Sequence, residues 1–385
     1  MSAYVFDHGS GTLESPYQVW TAADLEGARD HLTSHFIQMT NIDLSHISDW
    51  EPIGRHDWVY FTGSYDGQEY IINNLTITND DGVWEYLFAL FGGVDGAAII
   101  QNIILKNVNI NVTGAWHYYM GSLIGDYRGY SKVINCHAEG SVTGESGVGG
   151  LIGWTQRSGI KRCSFKGNVV GVDYVGGITG ALSSSYIQQS FADANVLGVE
   201  RTGGLVGNSA VVSTAMPSLV KNCYAKGKVE ITGSGNEHIG GLIGYVDQSR
   251  VEKSYAAVEV DFVSGLSGGL CGTSTGTRVY IVDSYYDSDI SNHSDFGKGY
   301  PRTTLEMTYD YDNFPNDVYT HWIFCDNGFP ILNNKYPILK WMLPIWRHDK
   351  NHNANDGYPY FCWQIPPVVL VSTCIPFLFK VPYWE

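Results

Sequence analysis

Between residues 121 and 290 the apolar positions fall in short runs of Val, Ile and Leu, separated by Gly and polar residues. Such runs are too short for helices and rich in strand formers, so they predict short, largely buried strands. The runs also repeat. Gly121-Ser122-Leu123-Ile124-Gly125 returns as Gly149-Gly150-Leu151-Ile152-Gly153, Gly176-Gly177-Ile178-Thr179-Gly180 and Gly203-Gly204-Leu205-Val206-Gly207. It continues as Gly240-Gly241-Leu242-Ile243-Gly244 and Gly268-Gly269-Leu270-Cys271-Gly272, with a degenerate earlier copy at Ala89-Leu90-Phe91-Gly92. From Gly121 the steps are 28, 27, 27, 37 and 28 residues.

A second motif follows about ten residues behind the first, beginning with Val133-Ile134-Asn135-Cys136. Its later copies place Cys163, Ser190, Cys223, Ser254 and Ser284 in the Cys column, often followed by Tyr or Phe, as at Phe165, Phe191, Tyr224, Tyr255 and Tyr285. Two motifs in register at this period predict a solenoid, because one coil cannot bury its own apolar face and a stack can. The expected fold is all-β, a right-handed parallel β-helix. Seven coils at the strand spacing give a rod of about 35 Å. Leu123, Leu151, Ile178, Leu205, Leu242 and Leu270 should form one buried column, and Cys136, Cys163 and Cys223 an inward ladder of unpaired thiols. The Gly pairs should mark corners of close backbone approach or positive φ.

Both ends of such a rod expose unpaired backbone and need covering. At the N-terminus, Thr21 followed by Asp24 predicts a capping box and a short amphipathic helix over 22–32, with Leu25, Ala28 and Leu32 on one face. Strands are expected at 36–39 and 70–77. Beyond the last repeat, Asp287 to Pro301 is polar and turn-rich. The predicted organisation is a cap with first coils over 1–80, β-helix repeats over 81–290, and an irregular, aromatic-rich capping and assembly region over 291–385. That last region holds Trp322, Trp341, Trp346, Trp363 and Trp384, while Trp154 is alone between 121 and 290. A theme recurs there, Gly328-Phe329-Pro330-Ile331 returning as Gly357-Tyr358-Pro359-Tyr360. So apolar a tail, broken by prolines, is expected to be extended or irregular, capping its own rod and burying an outer face in a homo-oligomer. An aromatic platform at Trp322, Trp341, Trp346 and Trp363 is the candidate glycan-binding surface, since sugar rings stack on exposed indoles.

Composition narrows the partners. A net charge of −16 argues against nucleic acid and anionic membrane surfaces. Neutral glycans, cations and basic proteins stay open. The seven cysteines form no CxxC pair and are read as core thiols. The N-terminus lacks the basic start and apolar run of a secretory leader, and prolines interrupt the apolar stretch from Ile365 to Tyr383. His31 and His35, and likewise His348 and His352, stand four apart without the Glu of HExxH or a third ligand. Asp283, Asp287 and Asp289, with Asp310 and Asp312 beyond, could serve as turn residues, a cation site or a glycoside-cleaving pair. No phosphate loop, dinucleotide fingerprint or nucleophile elbow is present, and no catalytic residue, metal or cofactor is expected.

The two motifs resemble the GLUG repeat, the copies at 149–153, 203–207 and 240–244 most closely. Within them Gly149, Gly150, Gly153, Gly203, Gly204 and Gly207 carry the pattern. Flanking segments also match, among them Trp50-Glu51-Pro52-Ile53-Gly54, Phe61-Thr62-Gly63-Ser64-Tyr65-Asp66-Gly67 and Gly328-Phe329-Pro330-Ile331-Leu332. The resemblance covers about 9–332 and leaves 333–385 unmatched. GLUG repeats occur in bacterial adhesins, long secreted proteins including some IgA-cleaving peptidases, and phage proteins, generally as the non-catalytic part. It implies a non-enzymatic virion component, a phage tail fibre, spike or capsid-surface protein, that binds a host-surface glycan or protein or other virion proteins. The alternatives are a secreted or cell-surface adhesin and a polysaccharide depolymerase.

Overall fold

The structure, a computed structural model, describes residues 3–54, 59–78, 87–114, 118–211, 216–232, 238–261, 266–275, 278–295 and 298–308, and the short strands 346–347 and 360–361. The chain divides into two units, Met1–Thr304 and Leu305–Glu385. The first is a parallel β-solenoid. One coil shows the plan: Ser146–Gly149, Ile152–Gln156, Gly159–Lys161 and Ser164–Val170 follow one another, each in a different sheet. Stacked coils make sheets of six, seven, ten and eleven strands, with every pairing parallel. In the second unit, Trp346–Arg347 pairs antiparallel with Tyr360–Phe361.

The apolar column forms as the repeats require. Leu123, Leu151, Ile178, Leu205, Leu242 and Leu270 are all fully buried. Their backbones are joined directly: each N–H donates to the carbonyl of the next, from Leu123 to Leu151 at 2.9 Å through to Leu242 to Leu270 at 2.8 Å. The degenerate copy is in register too, since Phe91 pairs with Ile124. Trp50-Glu51-Pro52-Ile53-Gly54 turns out to be a coil position rather than a flank: Ile53 bridges Phe91, and the buried Trp50 donates to the Leu90 carbonyl. The 37-residue step does not disturb the stack. By strand register, six of its ten extra residues fall between Ala210 and Leu219, and four between Ile231 and Ile239.

The thiol and hydroxyl column is a hydrogen-bonded ladder. Ser190 donates to the Gln188 carbonyl and accepts the Cys163 N–H, and Ser254 likewise serves Glu252 and Cys223. Cys136, Cys163, Cys223 and Cys271 are buried free thiols. Burial pushes Cys223 up to about 12 and raises Cys136 and Cys271. Phe165 does not share the column of Phe191, because Ser164 pairs with Phe191 and Phe165 with Ala192. The ring column is instead Phe191, Tyr224 and Tyr255, stacked at 4.8 and 5.0 Å.

Of two expectations about local conformation, the first holds in one of its alternatives and the second is corrected. The motif's Gly pairs provide close approach but not positive φ: a Cβ at Gly177 would land on the Gly204 carbonyl, and one at Gly204 on that of Gly241. The left-handed corner lies just before the Cys/Ser column instead, at Asn102, Asn135, Arg162, Gln189, Asn222, Lys253 and Asp283, with φ between 46° and 56°. The capping helix is also shorter than expected. Thr21 and Asp24 form the full capping box, but the α-helix is Ala22–Gly27 and gives way to a 3-10 turn, Ala28–Asp30. Strands follow at His35–Gln38, Ile71–Asn73 and Thr76–Ile77. At the other end Ser288–Ser291 and Tyr300–Arg302 fold over the last coil, where Lys298 donates to the carbonyls of Ser267 and Gly272.

Candidate functional site

The seven-stranded sheet carries one outward column, read from the register as Asp126, Trp154, Ala181, Asn208, Tyr245 and Thr273. Beside it, strands of the six-stranded sheet carry a second. Tyr119, Gly147 and Tyr174 follow one another between the paired residues of those strands, and Arg201 and His238 continue the line. Between the two columns runs the last Gly of each motif. A Cβ at Gly153 would meet the Tyr119 backbone, and one at Gly207 that of Tyr174. The sheets can approach because that position has no side chain.

Large and small residues alternate along each column. Ala181 follows Trp154 on one sheet, and Gly147 stands between Tyr119 and Tyr174 on the other. The rings touch diagonally, between the two columns and between successive coils: Tyr119 to Trp154 is 5.3 Å, and Trp154 to Tyr174 is 6.0 Å, edge to face. The Arg201 guanidinium lies 4.6 Å over Tyr174 and 5.9 Å from Tyr245, in cation–π range. His238 packs on Tyr245 at 5.1 Å and shares a 2.7 Å hydrogen bond with Thr273. Tyr119, Trp154, Tyr174, Arg201 and Tyr245 are all half-buried.

Charges in the stripe are paired. Arg201 donates to both Asp173 oxygens, at 2.8 and 3.1 Å. Burial holds the Asp173 carboxyl above the usual range despite that partner. At the N-terminal end, Asp126 is fully buried and accepts from Tyr60 at 2.8 Å and Arg128 at 2.6 Å. Burial raises this carboxyl too, outweighing the ion pair and the hydrogen bond. The Tyr60 ring covers Gly93, where a Cβ would collide with it. Asp126, Tyr60 and Arg128 thus form a closed clasp at the end of the stripe.

Of the residues singled out in the sequence, Trp322, Trp341 and Trp363 lie outside the described residues, as do Asp310, Asp312, His348 and His352. Trp346 is described only as part of a two-residue strand. The structure gives the acidic cluster local work. Asp287 is the buried N-cap of Ser288–Ser291 and also accepts from the Thr304 hydroxyl; Asp289 accepts the Thr304 N–H; Asp283 occupies a left-handed corner. His31 and His35 serve separate partners, the Tyr4 carbonyl and the Ser64 hydroxyl. Among the described residues no group of three or more His, Cys, Asp or Glu is placed to hold a metal ion.

Fold and site together define a parallel β-solenoid with an aromatic and charged stripe along one side. No family model matches the chain. It is 36% identical over 373 residues, 79% of its own length, to a candidate Gly-rich membrane protein of Evansella cellulosilytica, of which it covers 42%. It is 35% identical over 167 residues, 40% of its length, to the Halomucin of Haloquadratum walsbyi, of which it covers 2%. The chain thus spans less than half the length of these curated relatives. Among solved structures, a candidate immunoglobulin A1 protease from Bacteroides ovatus superposes with a TM-score of 0.59 at 20% identity, over 94% of this chain and 96% of that one. A chain titled IgA1 Protease gives 0.53 at 19% identity, over 74% and 23%. These two likenesses are of fold. They correct the expectation that the chain is not an enzyme: both neighbours bear titles naming a protease, so this coil stack gives no ground for excluding catalysis.

Proposed function

We propose that the chain is the β-helical, surface-displayed segment of a longer extracellular or cell-surface protein, and that it holds an extended ligand along its aromatic stripe. The carrying observation is the stripe's continuity. Half-buried rings and paired charges rise from successive coils at the strand spacing, each fixed by a strand paired on both sides. Stacked coils give a straight, preorganised surface, suited to a long ligand that can touch several coils at once. The name of the Evansella cellulosilytica relative favours the cell surface over a virion.

Sedimentation with isolated cell envelopes of the organism that encodes the chain tests this reading. The purified chain should pellet with the envelopes and stay in solution without them. A chain left wholly in the supernatant overturns the proposal.

A further inference from the structure

We infer that the part of the stripe centred on Trp154 is a subsite for a neutral polysaccharide. The inference rests on the proposed role of the stripe and names its ligand class. Three observations carry it. The first is the form of the platform. Ala181 follows Trp154 along one sheet and Gly147 precedes Tyr174 along the other, so each ring borders a position with little or no side chain. The result is a stepped shelf of half-buried rings instead of a closed aromatic core. The apolar C–H face of a pyranose packs on such a ring, and its equatorial hydroxyls reach outward past the ring edge.

The second observation is charge. Arg201 is satisfied by Asp173, and Arg128 by Asp126, so the stripe has no cationic surplus to offer an acidic polymer. The whole chain carries −16, and its field repels polyanions. A neutral chain meets neither penalty.

The third is polar capacity. A guanidinium has five N–H donors in a fixed fork, and the bonds of Arg201 to Asp173 are made by Nη1. Asn208 is buried and Thr273 is held by His238, but the exposed Thr275, whose hydroxyl meets that of Tyr245 at 2.6 Å, adds a group that both donates and accepts. Rings beside such mixed donors and acceptors suit the alternating C–H and hydroxyl faces of a sugar chain. A peptide of matching length would more often require an apolar pocket or an unpaired charge.

The test is electrophoresis of the full chain through native gels containing hydroxyethylcellulose, galactomannan or dextran, with polygalacturonate as the acidic comparison. At least one neutral polysaccharide should retard the chain, and polygalacturonate should not. Trp154→Ala should weaken that retardation at least about tenfold, as truncating a central aromatic anchor does. Trp154→Tyr should recover most of it. Tyr130→Ala, at a ring 62% exposed on the turn that leads from the seven-stranded to the ten-stranded sheet, should leave it unchanged. A second readout needs no variant: bound polysaccharide should protect Trp154 of the wild-type chain from oxidation by N-bromosuccinimide, followed on its peptide by mass spectrometry. Absence of retardation in every neutral gel, equal retardation by polygalacturonate, or an unprotected Trp154 overturns the inference. Pelleting with envelopes without retardation in any neutral gel removes the ligand class and leaves the surface role standing. Failure in both assays removes both.

Discussion

At the residue scale, the coil's geometry is set by side chains that tolerate unusual positions. The left-handed corner at Gln189, φ 51°, recurs in coil after coil with different residues. A β-branched residue is strained there, so Gln189→Val should cost about 1–2 kcal/mol, while Gln189→Gly should be neutral or stabilising. Urea unfolding of the two variants checks this. The buried thiols should behave alike: Cys136, Cys163 and Cys223 should react with a thiol reagent far more slowly in the folded protein than after denaturation, because burial denies the reagent access and, at Cys136 and Cys223, also suppresses the thiolate. Fast native labelling of all three would contradict the buried ladder. His137 gives a pH signature. Its imidazole bonds to the Ser164 hydroxyl, and burial lowers it from 6.5 to about 4. The unfolded chain therefore takes up a proton that the folded one refuses. Stability should fall as pH drops from about 6.5 towards 4, by up to about 3 kcal/mol, and His137→Gln should flatten that part of the profile in thermal melts at stepped pH.

At the scale of elements, each strand is only two to eight residues long and has no stability alone. What holds it is the neighbour above and below. Close contacts of this kind occur at the motif glycines, where a Cβ at Gly177 meets both the Gly204 carbonyl and the Ala192 side chain. Backbone cannot yield there without breaking the ladder that joins Ile178 to Leu205. Gly177→Val should therefore abolish soluble folding, or lower the melting temperature by well over ten degrees. A variant that melts like wild type would show that successive coils stack less closely at this corner than described.

At the scale of the whole molecule, the solenoid is a sum of coils and their interfaces, so its length should be adjustable in whole coils. Val175 and Thr202 hold the same position in successive coils, as do Gly176 and Gly203. Deleting residues 176–202 joins Val175 to Gly203 and brings two in-register coils together. The shortened chain should stay soluble with a β-rich circular dichroism spectrum. A deletion of 20 residues from the same start should not, because it throws the buried columns out of register. Equal behaviour of the two deletions would argue against coil-by-coil stacking.

The sequence by itself determined the solenoid, the buried Leu column, the Cys/Ser ladder and the Thr21–Asp24 capping box. The reason is physical: in a stack of coils, equal spacing along the chain is vertical neighbourhood in space, so a column of like residues can be read directly. The left-handed corner was not legible, because the backbone fixes that conformation and the side chains there are as different as Asn135, Arg162 and Lys253. The stripe was hidden for a related reason. Trp154 stood out as a lone tryptophan, but Tyr119, Tyr174, Arg201 and Tyr245 alternate with it between two columns on two sheets, and no single column repeats a residue type. Only the tertiary structure brings those columns together, because the last Gly of each motif lets the two sheets approach.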